Sequence, residues 1–135
     1  MSLVNFVVKK FFVGRWKLKF EKGLEMKQKL MVLYSLILIG IVWATAWASL
    51  RGNVFDGAVQ LWAIPWGRAT FFDTYFAFLT IYLWMASGEK TWASRVLWFA
   101  LVMALGNIAI ASYMLLRLAR LGDKDPLKEL LLGKK

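Results

Sequence analysis

VLWFALVMALGNIAIASYMLL, residues 96–116, is uncharged from end to end. An α-helix needs about 20 apolar residues to cross a hydrocarbon core of roughly 30 Å, so this run reads as a single membrane span. Two earlier runs read the same way. LMVLYSLILIGIVWATAWASL, residues 30–50, is also uncharged, and ATFFDTYFAFLTIYLWMAS, residues 69–87, carries only Asp73. Three runs that are apolar all round, in a chain of 135 residues, leave almost no polar face for water. The expected fold is therefore an all-α integral membrane protein with three transmembrane helices in a compact bundle, preceded by a basic amphipathic N-terminal segment. The chain divides at residues 1–29, 30–118 and 119–135.

Composition supports this class. Hydrophobic residues make up 60% of the chain and Trp occurs eight times, far from an ordinary soluble domain. The first run is too long for a usual signal h-region, so a retained anchor is expected. Cys and His are both absent. Disulfide, thiolate and iron–sulfur chemistry lose their residue, and haem ligation, catalytic zinc and acid–base work near neutral pH lose their usual one. No cofactor and no metal are expected. Paired carboxylates at catalytic spacing are missing, since Asp56 falls in a connection and Glu89 at the opposite membrane face from Asp73. No phosphate loop or nucleophile elbow occurs either. The pattern points away from an enzyme.

The net charge of +10 is unevenly placed. Eight Lys and Arg precede the first run, in VVKKFFVGRWKLKFEKGLEMKQK, mixed with Phe11, Phe12, Trp16, Leu18 and Phe20; Glu21 and Glu25 leave the segment at +6. Basic residues interleaved with aromatics beside a span read as a segment lying on an anionic membrane surface. No nucleic-acid motif accompanies the charge. With a cytoplasmic N-terminus the inside carries these eight plus Lys90 and Arg95, while the outside carries Arg51, Arg68 and the tail cations. That bias is small. A fourth inserted element would bring both basic ends to one side, and GNVFDGAVQLWAIPWG, residues 52–67, is the sole candidate. It is short and rich in Gly and Pro, and reads as a loop with an interfacial piece.

Small and polar residues inside the runs mark expected packing faces. Gly40, Ala44 and Ala48 form one small-residue stripe; Ala77 and Thr80 share a face with Asp73; Ala104, Asn107 and Ala111 mark the third run. If consecutive spans alternate direction, Asp73 lies near the level of Tyr113, with Arg51, Arg68 and Arg117 at the adjoining interface. Three guanidinium groups would favour an ionised carboxylate. A structural ion pair is the first reading of this cluster, an anionic lipid headgroup or carboxylated ligand the second, and proton transfer the third. Trp62, Trp66, Trp84, Trp92 and Trp98 read as interfacial anchors.

Pro65 and Trp66, followed by the A-T-x-x-D-x-Y pattern at Ala69, Thr70, Asp73 and Tyr75, then Trp84, Glu89, Trp92, Trp98, Gly106 and Tyr113, are similar to a family of small three-span membrane proteins of plants and bacteria, a domain of unknown function. The similarity covers roughly residues 30–118. It implies the same membrane fold and brings no activity, cofactor or catalytic residue. The expected function is that of a non-enzymatic membrane protein, an accessory or scaffold subunit or a lipid-interacting component, with anionic lipids, further copies of itself or a larger complex as partners and no nucleic acid. An oligomeric transporter or channel using Asp73 and Asn107 is the alternative, and a lipid- or isoprenoid-modifying enzyme the third.

Overall fold

The computed structural model describes residues 2–122, without the side chain of Phe20. The described residues are all-helical, in five helices: α1 (Leu3–Ser49), α2 (Val54–Ala63), α3 (Pro65–Ser87), α4 (Trp92–Leu105) and α5 (Asn107–Arg120). The tail expected to carry charge, residues 123–135, lies outside the described residues.

α1 runs unbroken through the whole basic segment and the first apolar run. Its sequence has no proline, and Gly14 and Gly23 do not interrupt it. A glycine inside a helix costs about 1 kcal/mol relative to Ala, which a helix of this length tolerates. At 1.5 Å per residue it is about 70 Å long. Cationic and apolar side chains alternate around the entire circumference of residues 3–19, all of them exposed, so this part is not amphipathic as expected.

The connections follow from local chemistry. Asn53 caps α2 by accepting the Phe55 amide at 2.9 Å, and Asp56 sits in its first turn, where a carboxylate complements the helix dipole. Ile64 is extended, as the residue before a proline prefers, and Pro65 opens α3 at its first position. Gly67 is pressed against the Leu61 carbonyl, so no side chain fits in this elbow. Residues 52–67 thus form a helix and a sharp corner rather than a loop.

The decisive departure from the sequence reading is at Gly106. Its φ of 54° and ψ of −122° end α4 and begin α5, and the aromatic ring of Phe78 fills the space where a Cβ would stand, 2.6 Å away. Residues 96–116 are therefore two halves of a hairpin, not one span. α4 packs on α3, α5 packs on α4 and on α1. Phe78 lies close to the middle of α3, so the hairpin reaches only half of that helix's height before turning back. Each arm has 14 residues, about 21 Å, too short to cross a bilayer core.

The core lies entirely on the side to which the hairpin returns. Met85, Val102, Ala109, Tyr113, Met114 and Leu118 form it. α1 meets it along Leu24, Lys27, Met31, Tyr34, Leu38 and Ile41, half-buried at steps of three and four, which is the spacing of one helix face. Beyond Ile41, at the height of the hairpin tip, every residue of α1 is exposed. Among the described residues α1 alone meets the length and hydropathy of a membrane span, and none of its apolar window is buried; α4 is a shorter apolar helix.

Candidate functional site

The polar residues converge where α3 ends. Gly88, Glu89 and Lys90 form the turn into α4, whose N-cap Thr91 accepts the Ser94 amide at 3.3 Å. Glu89 is half-buried, and its carboxylate accepts a hydrogen bond from the Ser94 hydroxyl while lying 3.0 Å from the Tyr113 hydroxyl. Tyr113, fully enclosed, also reaches the Met85 carbonyl at 3.2 Å. Arg117 donates to the Tyr113 oxygen at 3.0 Å and toward the Gly88 carbonyl at 3.5 Å, its guanidinium lying over the Tyr113 ring at 5.6 Å.

Two further cations hold backbone at the same end. Arg95 places Nε and Nη2 on the Glu89 carbonyl, at 3.2 and 2.9 Å. Lys27 of α1 donates to the Leu121 carbonyl at 2.7 Å. The carbonyls so used are those that helix ends leave unsatisfied, which is what cations near a helix C-terminus ordinarily serve. The result is a polar cap that ties α1, α3, α4 and α5 together. Trp84 and Trp98 stand edge-on to Tyr113, with centroids 6.2 and 4.8 Å away. They are half-buried supports of the cap.

The cluster expected around Asp73 is divided between the two ends of the molecule. Asp73 is exposed, and among the described residues it makes no ion pair and no side-chain hydrogen bond. Arg68 is exposed nearby in sequence, and Arg51 lies over the Trp47 ring at 4.3 Å. Tyr113 and Arg117 sit with Gly88 instead, fifteen helical residues or about 22 Å along α3 from Asp73. The cause is the Gly106 turn: a continuous third helix would carry residues 113–117 to the Asp73 end, and the hairpin carries them back. Glu89, the carboxylate that is met by Tyr113, went unselected; its place one residue after a helix-ending glycine was the signal available.

The packing stripes fare similarly. A Cβ on Gly40 would meet nothing within 4 Å, and Ala44, Ala48, Ala77, Thr80, Ala104 and Asn107 are exposed; only Ala111 is buried. The exposed stripes lie mostly on the half of the molecule that has no core. Trp62 packs on Phe71 and Phe72, with centroids 6.1 Å away in each case, while Trp66 and Trp92 are exposed. No group of three or more Asp and Glu with metal-binding placement occurs among the described residues.

One family model matches residues 7–135, and its description is "Protein of unknown function (DUF1475)"; the chain belongs to this family. The match includes most of the basic N-terminal helix and the tail, both of which the residue resemblance had left outside. No curated protein and no solved structure matches the chain.

Proposed function

We propose that this member of the DUF1475 family is a non-enzymatic integral membrane protein, with α1 and α3 crossing the bilayer and the α4–α5 hairpin inserted halfway, serving as an accessory subunit or lipid-interacting component. The observation that carries this reading is the segregation of charge from open apolar surface. Lys27, Lys90, Arg95, Arg117 and Arg120 all belong to the capped end, and the cations of residues 9–22 extend beyond it; among the described residues only Arg51 and Arg68 stand at the other. Between the ends, Val42, Trp43, Phe72 and Phe76 are exposed. Large exposed apolar side chains on these helices fit a membrane or a protein interface. Placing the capped end in the cytoplasm satisfies the positive-inside rule with both flanks of the helical body, without a fourth inserted element. A half-inserted hairpin is tolerated where its turn is covered by protein, and Gly106 is buried beneath Phe78.

Carbonate extraction of native membranes, followed by purification in mild detergent, tests the reading. The protein is expected to stay in the pellet and then to carry a partner, further copies or lipid. A chain released by carbonate, or one that purifies monomeric and free of lipid, contradicts it.

A second reading, an oligomeric transporter or channel, rests on the broken helix. Gly106 and the exposed Asn107 lie at mid-height of α3, the depth at which discontinuous helices line sites in transporters. Ion flux in liposomes that falls in Asn107→Leu and Asp73→Asn would favour it; flux indifferent to both removes these residues from any pathway.

A further inference from the structure

The face of α1 that meets the core continues past the point where the core ends. Leu24, Lys27, Met31, Tyr34, Leu38 and Ile41 recur at steps of three and four, and the same steps carried toward the N-terminus pass through positions 20, 17, 13, 10, 6 and 3. Leu3, Phe6 and Val13 on this line are exposed. Lys10 and Lys17, which stand between them, are exposed and form no ion pair among the described residues. α5 covers this face in the body and ends at Arg120, where the Leu121 carbonyl accepts from Lys27. Leu121 is extended, so the chain leaves α5 beside the uncovered length of α1.

An occupant of this line has to bring acids as well as apolar side chains. A second copy standing parallel in the same layer would set Lys10 against Lys10 and Lys17 against Lys17, and like charges so placed repel. Residues 9–22 carry six cations against Glu21 alone. The complementary charge is in this chain: three of its eight acids, Asp123, Asp125 and Glu129, fall in the seven residues after Gly122. Leu130 and Leu131 stand three and four positions after Leu127, the spacing of one helix face. The reach suffices. From Lys27 back to Lys10, α1 rises about 26 Å, and the 13 residues 123–135 span from about 20 Å at helical rise to about 43 Å extended. The family match, residues 7–135, takes in both segments.

We infer that residues 123–135 dock along this line of α1, continuing the α1–α5 interface beyond the body, with Asp125 and Glu129 set against Lys17 and Lys10 and with Leu127, Leu130 and Leu131 over Val13 and Phe6. The contact partners the cations of an arm that extends about 30 Å past the cap, and covers apolar side chains that no other described residue covers. It lies outside the helical body and stands independently of the membrane reading.

Electron paramagnetic resonance distance measurement on the full chain in mild detergent, with spin labels at Gly14→Cys and Gly133→Cys, reads the contact directly. The natural chain has no cysteine, and a side chain at Gly14 stands in open space. Docking is expected to give one narrow distance below about 20 Å, from an interaxial separation of about 10 Å and the label arms. A broad distribution near about 30 Å, as an undocked tail would give, would overturn the contact. Dilution of labelled with unlabelled chain is expected to leave the short distance in place; its loss would assign the face to a second copy and overturn the intramolecular contact. Asp125→Lys with Glu129→Lys is expected to broaden the distribution, as is Lys10→Glu with Lys17→Glu, and the four changes combined to restore it. A short distance indifferent to either pair, or not restored by the combination, would place the tail elsewhere and overturn the assignment. Lys10 and Lys17 are exposed and remote from the core, so their variant keeps the helical circular dichroism of the native chain. Release of the native chain by carbonate would bring down the membrane reading and leave this distance unchanged.

Discussion

The two ends of the helical body are built from similar residues and differ in almost everything else. At the capped end, four helices close around Met85, Tyr113 and Leu118, and Lys27, Arg95 and Arg117 each hold a carbonyl. At the opposite end, α1 beyond Ile41, α2 and the first half of α3 bury only Gly67, and Asp73 stands without a described partner. One residue separates these outcomes. By turning the chain at mid-height, Gly106 doubles the helices at the capped end and removes one from the other. Polar residues in this chain follow the hairpin, not the register of three alternating spans.

The largest expected effect comes from breaking that turn. Gly106→Ala introduces a Cβ at positive φ and against Phe78, and is expected to cost about 2 kcal/mol or more, read as a lower melting temperature in detergent. Gly40→Ala, in open space on the other half, should be neutral or slightly stabilising by the same measurement. Comparable losses at both would contradict the division of the molecule.

Removing one hydroxyl from the cap is next. Tyr113→Phe removes the buried hydroxyl that the Glu89 carboxylate and an Arg117 donor share, and the expected loss is about 1–3 kcal/mol in chemical denaturation. Asp73→Asn should change stability by less than about 0.5 kcal/mol, as surface substitutions usually do. A loss as large as that of Tyr113→Phe would restore the ion pair that the sequence first indicated.

The smallest effect is expected on the exposed face of α1. The Lys29 hydrogen bond, and then its charge, hold the exposed Glu25 carboxyl below its ordinary value. A lowered folded value makes any contribution present at neutral pH and lost as pH falls through that value, in the acid range below the usual carboxylate pKa. Because the pair is in water, Glu25→Gln should leave the melting temperature at neutral pH unchanged within error.

Much of this was legible in the residues. Helical character, the apolar reach of residues 30–50 and the corner at Gly88 follow from hydropathy and glycine at a helix end, whereas Pro65, which opens α3, falls in the stretch 52–67 that reads as a loop. The α4–α5 break did not, because a glycine within an apolar run is usually absorbed by the helix, as Gly14, Gly23 and Gly40 are here. Only the ring of Phe78, 28 residues earlier, distinguishes Gly106 from them. A continuous helix over 96–116 places Tyr113 and Arg117 at the Asp73 end and leaves Glu89 without a visible partner. The candidate site was thus half legible: its residue types were evident, and their grouping was a tertiary fact.

The natural absence of cysteine makes the central claim directly measurable. Single cysteines at Asn5, Asn53 and Gly122 in oriented membrane vesicles, labelled with a membrane-impermeant thiol reagent, report the side on which each lies. The hairpin requires positions 5 and 122 to label from one side and position 53 from the other. Labelling of position 122 together with position 53 would mean that residues 96–116 cross as one helix, and would contradict the account.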